Sequence, residues 1–572
     1  MAEGILDETS DLLLVYSEHA NVEDHFLIID QKAEKYKKHI VALWKLRNNF
    51  APISRLPAEL LCKIFHFSSQ DTTRGPLHWI KVSHVCHAWR NIAINYPSLW
   101  TNLPLRNVRW MQEMLSRSKM ASLTVDANFS SPYPSQRPPI EVVSSVLCHL
   151  SRIRDLSLVG IDVTVMKKFL PHFHQPAPAL ETLCLHVTPP RRFPLDLDNC
   201  EIPETLLSES DRLRRLDVSG CQINWYSRSW KSLTVLKIHN TSPTSKPTAT
   251  QLWDALKRMS NLQYLDLDDF ASTAGDFLEH REKISLAHLR KLKISSSTAG
   301  VQMFFQGVSF PSTVNVYTEC KATPASGADF TGVLSAITSS FLPSAQSSKM
   351  NIHTLEVSGP TPTFKGLRFA TYLKSNTASK CEENDSLVPD FELLLGGPTV
   401  KAEHDNILMD VCAAISLGEL VRLLLKQNTL FKSRTLVQAF GSLPRLMYVH
   451  VDGLIAEEFA SALQEVRPNR PNHDSKSHLP GLYFASLRSL SMSNVHFDAG
   501  LSPDALYDCL ESRSKRGAEM QKLKLEQCHR IPEDGVGLLE EIVDVDWDGL
   551  ELGYEDLYSD YDPYCESDYS LW

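Results

Sequence analysis

A short pattern of apolar residues recurs through this chain and constrains its fold more than any other feature. Each copy has an apolar residue, usually a Leu three positions later, and another apolar residue two positions after that. Eleven copies occur in order, with apolar positions Ile153/Leu156/Leu158, Leu180/Leu183/Leu185, Leu213/Leu216/Val218, Leu233/Leu236/Ile238, Leu262/Leu265/Leu267, Leu289/Leu292/Ile294, Ile352/Leu355/Val357, Leu420/Leu423/Leu425, Leu446/Val449/Val451, Leu487/Leu490/Met492 and Met520/Leu523/Leu525. The last two apolar residues of a copy flank one outward position, which predicts a short strand with one buried face.

The repetition of this pattern predicts an α/β body. Segments such as ATQLWDALKRMS, between two copies, supply helices or turns, so each unit can bury its apolar face only against its neighbours. We therefore expect an irregular solenoid with parallel strands on its concave side and helices and turns outside. Any α/β protein contains such strands, so one copy alone would not distinguish a repeat array from an ordinary α/β domain. Eleven copies in order favour a repeat array.

The same pattern predicts a binding face. The clearest copy, Leu213-x-x-Leu216-x-Val218-x-x-Cys221-x-Ile223, resembles the leucine-rich repeat. The middle residue of each strand points away from the core, so one concave surface should be lined by Ser157, Asp217, Lys237, Asp266, Lys293, Glu356, His450, Ser491 and Lys524. The residues predicted to bind a substrate are Asp217, Lys237, Asp266, Lys293, Glu356 and His450. Their mixed charge suits a polar protein partner rather than a nucleic acid, which requires a basic patch.

An apolar stripe near the N-terminus is the second informative feature. In ISRLPAELLCKIF, over residues 53–65, Pro57 suits a first helical turn and Glu59 suits the positive end of the helix dipole. A helix is therefore predicted to begin at about Leu56, with Leu60, Leu61, Ile64 and Phe65 on one face. After the polar SSQDTTRG, the segment WIKVSHVCHAWRNIAINYPSLW predicts a second helix with one apolar side, formed by Val82, Val85, Cys86, Trp89, Ile92 and Ala93. A unit of about fifty residues cannot cover this much apolar surface alone, which favours a partner.

These residues resemble the F-box, the adaptor-binding module of SCF-type ubiquitin ligases. The resemblance is carried by Leu56-Pro57-x-Glu59-Leu60-Leu61-x-x-Ile64-Phe65, by Val82-Ser83-x-Val85-Cys86-x-x-Trp89-Arg90-x-x-Ala93 and by Leu99-Trp100. The preceding segment 31–49, with Tyr36, Ile40, Leu43 and Trp44 on one side, resembles the lead-in helix of fungal F-box families. The resemblance implies adaptor-binding roles for Leu56, Pro57, Leu60, Ile64, Phe65, Val82, Cys86 and Trp89. The alternative is an ordinary helical hairpin packed on the rest of the protein.

Composition and motifs limit the remaining possibilities. The 12 cysteines include no C-x-x-C pair, so neither a metal site nor a disulfide framework is predicted, and no cofactor is expected. No phosphate-binding loop, H-E-x-x-H or G-x-S-x-G motif occurs, so the chain is not expected to be an enzyme. It starts without a secretory signal and has no membrane-length apolar run, so we expect a cytoplasmic or nuclear protein without membrane contact. The net charge of -10 is concentrated in an acidic terminal region that lacks Lys and Arg, which is expected to be a solvated tail.

Four segments follow from these observations. They are a lead-in region over 1–50, an F-box over 51–104, a leucine-rich-repeat-like domain over 105–550 and an acidic tail over 551–572. The resemblance implies a substrate receptor, in which the F-box binds the adaptor, and through it a cullin, and the repeats bind an unknown protein substrate. The alternative is a non-degradative scaffold that uses the F-box, the repeats or both. A hydrolase or transferase on an α/β body would require a pocket that clusters titratable groups with shifted pKa values.

Overall fold

The computed structural model divides into two compact units. One comprises Met1–Ala127 and Ser131–Leu156, and the other comprises Asn128–Ser130 and Ser157–Trp572. The residues described are 21–71, 73, 75, 77–188, 200–208, 210–239, 246–270, 283–321, 330–340, 352–361, 364–373, 388–396, 401–426, 431–467, 481–497 and 501–550. The predicted acidic tail, 551–572, lies outside them. None of the described helices is long and apolar enough to cross a membrane.

The first unit is largely helical. Its regular elements are α1 (Val22–Asn49), α2 (Ala58–Gln70), α3 (His87–Ile94), α4 (Val108–Arg117), β1 (Leu123–Asn128) and α5 (Ile140–Leu147). Among the described residues of this unit there are also five 3-10 helices, at Pro52–Arg55, His78–His84, Pro97–Trp100, Pro134–Gln136 and Leu150–Arg152. Helix α1 begins at Val22, nine residues before the predicted start of the lead-in segment at 31.

Two predictions about the hairpin need correction. Helix α2 begins at Ala58, because Pro57 has the extended backbone of a capping residue, so the predicted start at Leu56 was two residues early. The predicted second helix is divided into the 3-10 helix His78–His84 and helix α3. The break lies at Cys86, whose extended backbone lets its thiol accept a hydrogen bond from the Trp89 amide, at 3.5 Å. A side chain that caps a helix in this way satisfies an amide that would otherwise have no partner.

The second unit is built on one large, mostly parallel sheet. Its strands are β2 (Ile153–Asp162), shared with the first unit, β3 (Thr182–Thr188), β4 (Arg215–Ser219), β5 (Val235–His239), β6 (Tyr264–Asp268), β7 (Ile284–Ser285), β8 (Lys291–Ser297), β9 (Val308–Ser309), β10 (Asn315–Lys321), β11 (Ile352–Ser358), β12 (Gly366–Leu373), β13 (Phe391–Gly396), β14 (Arg422–Lys426), β15 (Tyr448–Asp452), β16 (Ser489–Ser493), β17 (Lys522–Glu526) and β18 (Asp544–Trp547). The order from β3 is β3-β4-β5-β6-β8-β10-β13-β12-β11-β14-β15-β16-β17-β18, and β7 pairs with β9 separately.

Helices alternate with these strands. They are α6 (Val163–Phe169), α7 (Glu204–Ser208), α8 (Ala249–Arg258), α9 (Thr298–Gly307), α10 (Thr331–Ser340), α11 (Lys401–Ala414), α12 (Ser433–Phe440), α13 (Ile455–Gln464), α14 (Pro503–Lys515) and α15 (Glu533–Glu540). The ATQLWDALKRMS segment forms α8, as expected. A helical N-terminal region followed by a large, mostly parallel sheet with helices confirms the predicted α/β fold class.

The eleven sequence copies all coincide with strands of this sheet. Every apolar residue of the eleven copies is buried, with none more than 4 % exposed. The outward middle positions are less buried in most strands, and the burial patterns of β4 and β5 alternate as the sequence predicted. The pattern therefore located both the strands and their buried face.

One strand interrupts the parallel order. Strand β12 pairs antiparallel with both β11 and β13, whereas the other registers described in the sheet are parallel. Its sequence is GLRFATYL, with Arg368 as the one charged residue, and six of its eight residues are buried, on both faces of the strand. A strand that is covered on both faces lacks the alternation on which the repeat pattern depends. The antiparallel strand β12 interrupts the run of parallel strands at this point of the sheet.

Candidate functional site

An exposed apolar stripe runs along helix α2. The side chains of Leu60, Ile64 and Phe67 are spaced four and three residues apart, so they lie on one helical face. Leu60 is 44 % exposed, Ile64 is 43 % exposed and Phe67 is 70 % exposed. Large apolar side chains that remain exposed together on one face are typical of a surface that binds another protein.

The opposite side of α2 belongs to the core of the hairpin. Phe65 is completely buried, and its ring lies 5.0 Å from the ring of Trp89, centroid to centroid. Leu61 is buried beside it. The prediction that Phe65 contributes to the adaptor surface is therefore wrong in this respect, because its side chain has no accessible area. Leu60, Leu61, Ile64 and Phe65 were predicted on one face, but the helical spacing could have separated them, since residues 61 and 65 share one face and residues 60, 64 and 67 share another.

The other predicted adaptor-binding residues lie just before helix α2 or in the elements that follow it. Pro57 is exposed and Leu56 is half-buried, just before the helix. Val82, Cys86 and Trp89 are half-buried. Cys86 caps α3 and Trp89 packs on Phe65, so both residues have structural roles in addition to any contact with an adaptor. The sequence analysis did not include Phe67, and it assigned Val85 only to a helix side although its side chain is 60 % exposed.

Two tryptophans hold the hairpin in place. Trp79 and Trp100 contact each other edge to face with ring centroids 5.0 Å apart. Trp100 is completely buried, and its indole N–H donates to the carbonyl oxygen of Ala93 at 2.8 Å. The Arg117 guanidinium lies over the same ring, 4.4 Å from its centroid. A buried aromatic core with its polar atom satisfied fixes the orientation of α2 and its exposed stripe.

The second candidate site is a row of residues across the sheet of the second unit. Through the pairing registers, each residue lies beside the next in the order Cys184, Asp217, Lys237, Asp266, Lys293, Tyr317, Glu392, Ala370, Glu356, Leu424, His450, Ser491, Lys524 and Asp546. We call this set the strand-face row. It contains eight of the nine residues that the sequence analysis placed on one surface, and the ninth, Ser157, lies in β2 next to β3. Tyr317, Glu392 and Asp546 were not predicted because their strands do not carry the repeat pattern.

Several members of the row are more buried than an open binding surface requires. Asp266 is only 4 % exposed, Glu356 is 6 % exposed and Ser491 is 1 % exposed. Tyr264 donates a hydrogen bond to Asp266 at 3.2 Å, and His239 Nε2 lies 3.0 Å from the same carboxylate, at ion-pair distance but outside hydrogen-bond geometry. The expectation that these side chains line an accessible surface needs correction. Neighbouring side chains on the same face occupy their polar atoms.

Asp217 is the centre of one such network. His186 Nε2 lies 2.7 Å from one oxygen of Asp217, and Lys237 Nζ lies 3.2 Å from the other. The hydrogen bonds to Asp217 and to the Cys184 thiol raise the pKa of His186 to about 10. Burial raises the pKa of Asp217, but the contacts from His186 and Lys237 outweigh it and hold that pKa below its usual value. His186 is therefore a cation at neutral pH, paired with a carboxylate.

The same cluster contains the residue types of a metal site and of a catalytic triad. Among the described residues, Cys184, His186 and Asp217 form one group whose ligand atoms lie within 4.8 Å of one another. His186 and Lys237 already occupy the carboxylate. The thiol sulfur lies 3.6 Å from Nε2, the same nitrogen that contacts Asp217. A nucleophile–imidazole–carboxylate relay uses the two ring nitrogens separately, so this arrangement does not form one.

A second network crosses the antiparallel insertion. Arg368 of β12 pairs with Glu356 of β11 through one guanidinium nitrogen, and its Nε lies 2.6 Å from an oxygen of Glu392 in β13. Lys426 Nζ lies 3.1 Å from the other oxygen of Glu356. Burial lowers the pKa of Arg368, but the two carboxylates more than compensate and raise it. The guanidinium thus joins the three strands that depart from parallel order.

Cations and tyrosine rings alternate near the row. Lys293 lies 5.4 Å from the centroid of Tyr317, and Lys237 and Lys291 each lie 5.4 Å from the centroid of Tyr264. Burial, with smaller contributions from Asp266, raises the pKa of Tyr264 to about 12, so its hydroxyl stays protonated and can donate. Such pairs offer both positive charge and aromatic surface to a partner.

His450 differs from His186 in its charge. Its Nδ1 lies 3.0 Å from the hydroxyl of Ser491, and its Nε2 lies 3.3 Å from the hydroxyl of Ser493. Burial lowers the pKa of His450, and this outweighs the nearby carboxylates. His450 is therefore neutral at pH 7, and both of its ring nitrogens contact serine hydroxyls of the neighbouring strand.

A comparison with known protein families agrees with the first candidate site. A family model described as F-box-like matches residues 53–106, the region that contains α2, α3 and their exposed stripe. No curated protein matches the chain. A chain in the crystal structure of the Rad7 and Elc1 complex in yeast is 12 % identical, with 76 % of this chain and 93 % of that chain covered and a TM-score of 0.22. The chain therefore contains an F-box-like domain at residues 53–106.

Proposed function

We propose that this chain is the substrate-recognition subunit of an SCF-type cullin-RING ubiquitin ligase. The F-box-like domain would bind the adaptor, and through it a cullin, while the sheet of the second unit would bind a protein substrate. The observation that carries the proposal is the F-box-like domain whose helix α2 keeps Leu60, Ile64 and Phe67 exposed. We include in the proposal a leucine-rich-repeat origin of the second unit, the limits 51–104 and 105–550 for the two domains, and a cytoplasmic or nuclear location.

The division of labour requires no chemistry from this chain. A substrate lysine held near a charged ubiquitin-conjugating enzyme reacts faster because its effective concentration is high. The receptor then contributes position rather than a nucleophile, which agrees with the geometry of the His186 cluster. Ubiquitin transfer would depend on two separate contacts, one on α2 and one on the sheet.

The adaptor contact is best tested on the exposed stripe. The double substitution Leu60→Ala with Phe67→Ala truncates two large side chains that are 44 % and 70 % exposed. Centrally placed apolar anchors commonly cost about 2 kcal/mol or more on truncation, so we expect at least a roughly thirty-fold loss of adaptor affinity. Calorimetry with a purified adaptor measures this, and circular dichroism checks folding.

The control for this experiment is Glu59→Gln, on the same helix but on a different face. It should bind the adaptor like the native chain. Native affinity in a folded Leu60/Phe67 double variant would refute the adaptor assignment and leave the domain as an internal hairpin. Adaptor binding without cullin recruitment or ubiquitin transfer would instead support the scaffold alternative.

The substrate contact is proposed on the strand-face row. At a strand spacing of about 4.8 Å, the fourteen positions extend for roughly 60 Å, a length that suits a macromolecular partner more than a small molecule. Lys293 and Tyr317 combine a half-buried cation with an aromatic ring near the middle of the row. Proteins that accumulate when the Leu60/Phe67 variant replaces the native chain, identified by quantitative mass spectrometry, are the candidate substrates. Lys293→Ala with Tyr317→Ala should reduce their capture and leave adaptor binding unchanged.

A further inference from the structure

Helix α1 presents a long apolar face to solvent. It has 28 residues, and none of them is buried. Large apolar side chains along it, including Phe26, Ile29, Ile40 and Leu43, are between 45 % and 62 % exposed. A single helix in water gains most of its stability by packing its apolar face against another element. An occupant is therefore needed for this face.

The spacing of the apolar residues identifies the geometry of that occupant. Steps of four and three residues alternate along the helix through Val22, Phe26, Ile29, Ala33, Tyr36, Ile40 and Leu43. The next position of the series is the charged Arg47, and Phe50 follows just beyond the helix end. An apolar repeat of four and three sustained over about three heptads is typical of a coiled-coil seam. The face is therefore suited to another helix that lies almost parallel or antiparallel to α1.

The charges on α1 are distributed unevenly along its length. The first half carries the acidic residues Glu23, Asp24, Asp30 and Glu34, with Lys32 as its one cation, whereas the second half carries Lys35, Lys37, Lys38, Lys45 and Arg47 and no acidic residue. A second copy in antiparallel orientation would place the acidic half of each helix beside the basic half of the other. A parallel copy would place like charges together along the whole length.

We propose that two copies of this chain associate through an antiparallel coiled coil of their α1 helices. The two helices are aligned so that Phe26 faces the partner's Leu43 and Ile29 faces the partner's Ile40. Asp30, which flanks the seam, lies beside the partner's Lys37. Arg47, at the end of the seam, lies near the acidic first turn of the partner's helix. The two carboxylates of that turn lie between the Arg47 cation and the positive end of the helix dipole.

The parallel alternative is disfavoured at individual positions as well as by overall charge. It would stack Arg47 on its own copy in the seam and would place Lys32 beside the partner's Lys37 on the flank. It would also pair Ala33 with itself, which leaves the seam underfilled at that layer. The antiparallel register avoids all three contacts.

The proposal is tested on the full chain by light scattering coupled to size exclusion. The native chain should have the mass of a dimer at micromolar concentration. The seam variant Ile29→Asn with Ile40→Asn should raise the apparent dimer dissociation constant at least about a hundred-fold, because four buried side chains are lost per dimer. The matched control is Leu27→Asn with Val41→Asn, which removes two exposed apolar side chains from positions outside the seam and should leave the dimer intact.

Orientation is tested by cross-linking. The variant Phe26→Cys with Leu43→Cys, oxidised and digested, should give peptides in which position 26 is linked to position 43 of the other chain. Links from 26 to 26 and from 43 to 43 would overturn the antiparallel assignment. A monomeric native chain, or equal loss of the dimer in the control variant, would overturn the proposal. Adaptor binding by the seam variant should be unchanged, so the outcome is independent of the proposed ligase role.

Discussion

Replacing Arg368 with methionine removes the guanidinium that joins strands β11, β12 and β13, and so tests how much this ion-pair network stabilises the fold. The guanidinium contacts Glu356 and Glu392, and both carboxylates are mostly removed from solvent, with side-chain exposures of 8 % and 20 %. Methionine has a similar length and no charge. The variant therefore leaves two carboxylates facing each other with only Lys426 to compensate one of them.

The expected loss follows from this geometry. Removing one partner of a buried ion pair costs about 3–5 kcal/mol, because the remaining charge stays buried without a counter-charge. Arg368 is itself 28 % exposed and Lys426 remains, so solvent and the second cation reduce the loss to about 2 kcal/mol in the free energy of unfolding.

Urea denaturation followed by tryptophan fluorescence measures this effect as a change in midpoint. With an m-value of about 3 kcal/mol/M or more, the midpoint should fall by up to about 0.7 M. Arg445→Met is the control, because Arg445 forms an exposed ion pair with Glu419 and should change the free energy of unfolding by less than about 1 kcal/mol. Equal midpoint shifts in the Arg368→Met and Arg445→Met variants would contradict this expectation.

Three further substitutions test other parts of the second unit by thermal or urea unfolding. Arg513→Met should cost about 3 kcal/mol, because its guanidinium is 1 % exposed and donates to three backbone carbonyls, and an unchanged midpoint would contradict this. His186→Gln should lower the Tm most below about pH 6.5 and least near pH 10. The pKa of His186 is raised to about 10 in the folded state, so its charge stabilises the fold at low pH and this stabilisation is lost as the pH rises. A difference in Tm between the variant and the native chain that does not change with pH would exclude the ion pair with Asp217. Gly220→Ala should cost at least about 2 kcal/mol, because the residue has a φ of +70° and a Cβ would lie 2.4 Å from the Val187 carbonyl oxygen, and native stability would show that the backbone can relax.

The sequence predicted the strands because each one has a single buried face. In copies such as Leu216/Val218 and Leu236/Ile238, a short strand is buried on one side only, so apolar and polar residues alternate and the pattern is visible without relatives. The pairing register then follows, because adjacent copies align their apolar residues. The row of middle residues could be predicted for the same reason.

The pattern failed where a strand is buried on both faces. Six of the eight residues of β12 are buried and they lie on both faces, so its sequence lacks the repeat pattern and carries no indication of antiparallel pairing. The hairpin was predicted in outline, but Phe65 and Phe67 are only two residues apart and belong to opposite environments. Local sequence gives the helical faces, whereas the choice of which face is buried depends on where Trp79 and Trp100 pack, and that is set by the tertiary structure.

The burial of Asp266 changes how the proposed substrate face should be probed. Asp266 and Lys293 are both among the residues predicted from sequence to bind a substrate, so charge reversal at the two positions would be the direct probe of that face. In the structure Asp266 is almost inaccessible and is contacted by Tyr264 and His239, so a lysine there would bury a cation among cations and should unfold the sheet locally. Lys293 is half-buried with its ammonium over the Tyr317 ring, so its charge can be reversed at lower cost. Lys293→Glu alone should therefore reduce substrate capture at unchanged Tm, and a loss of Tm equal to that of Asp266→Lys would show that the whole row is structural.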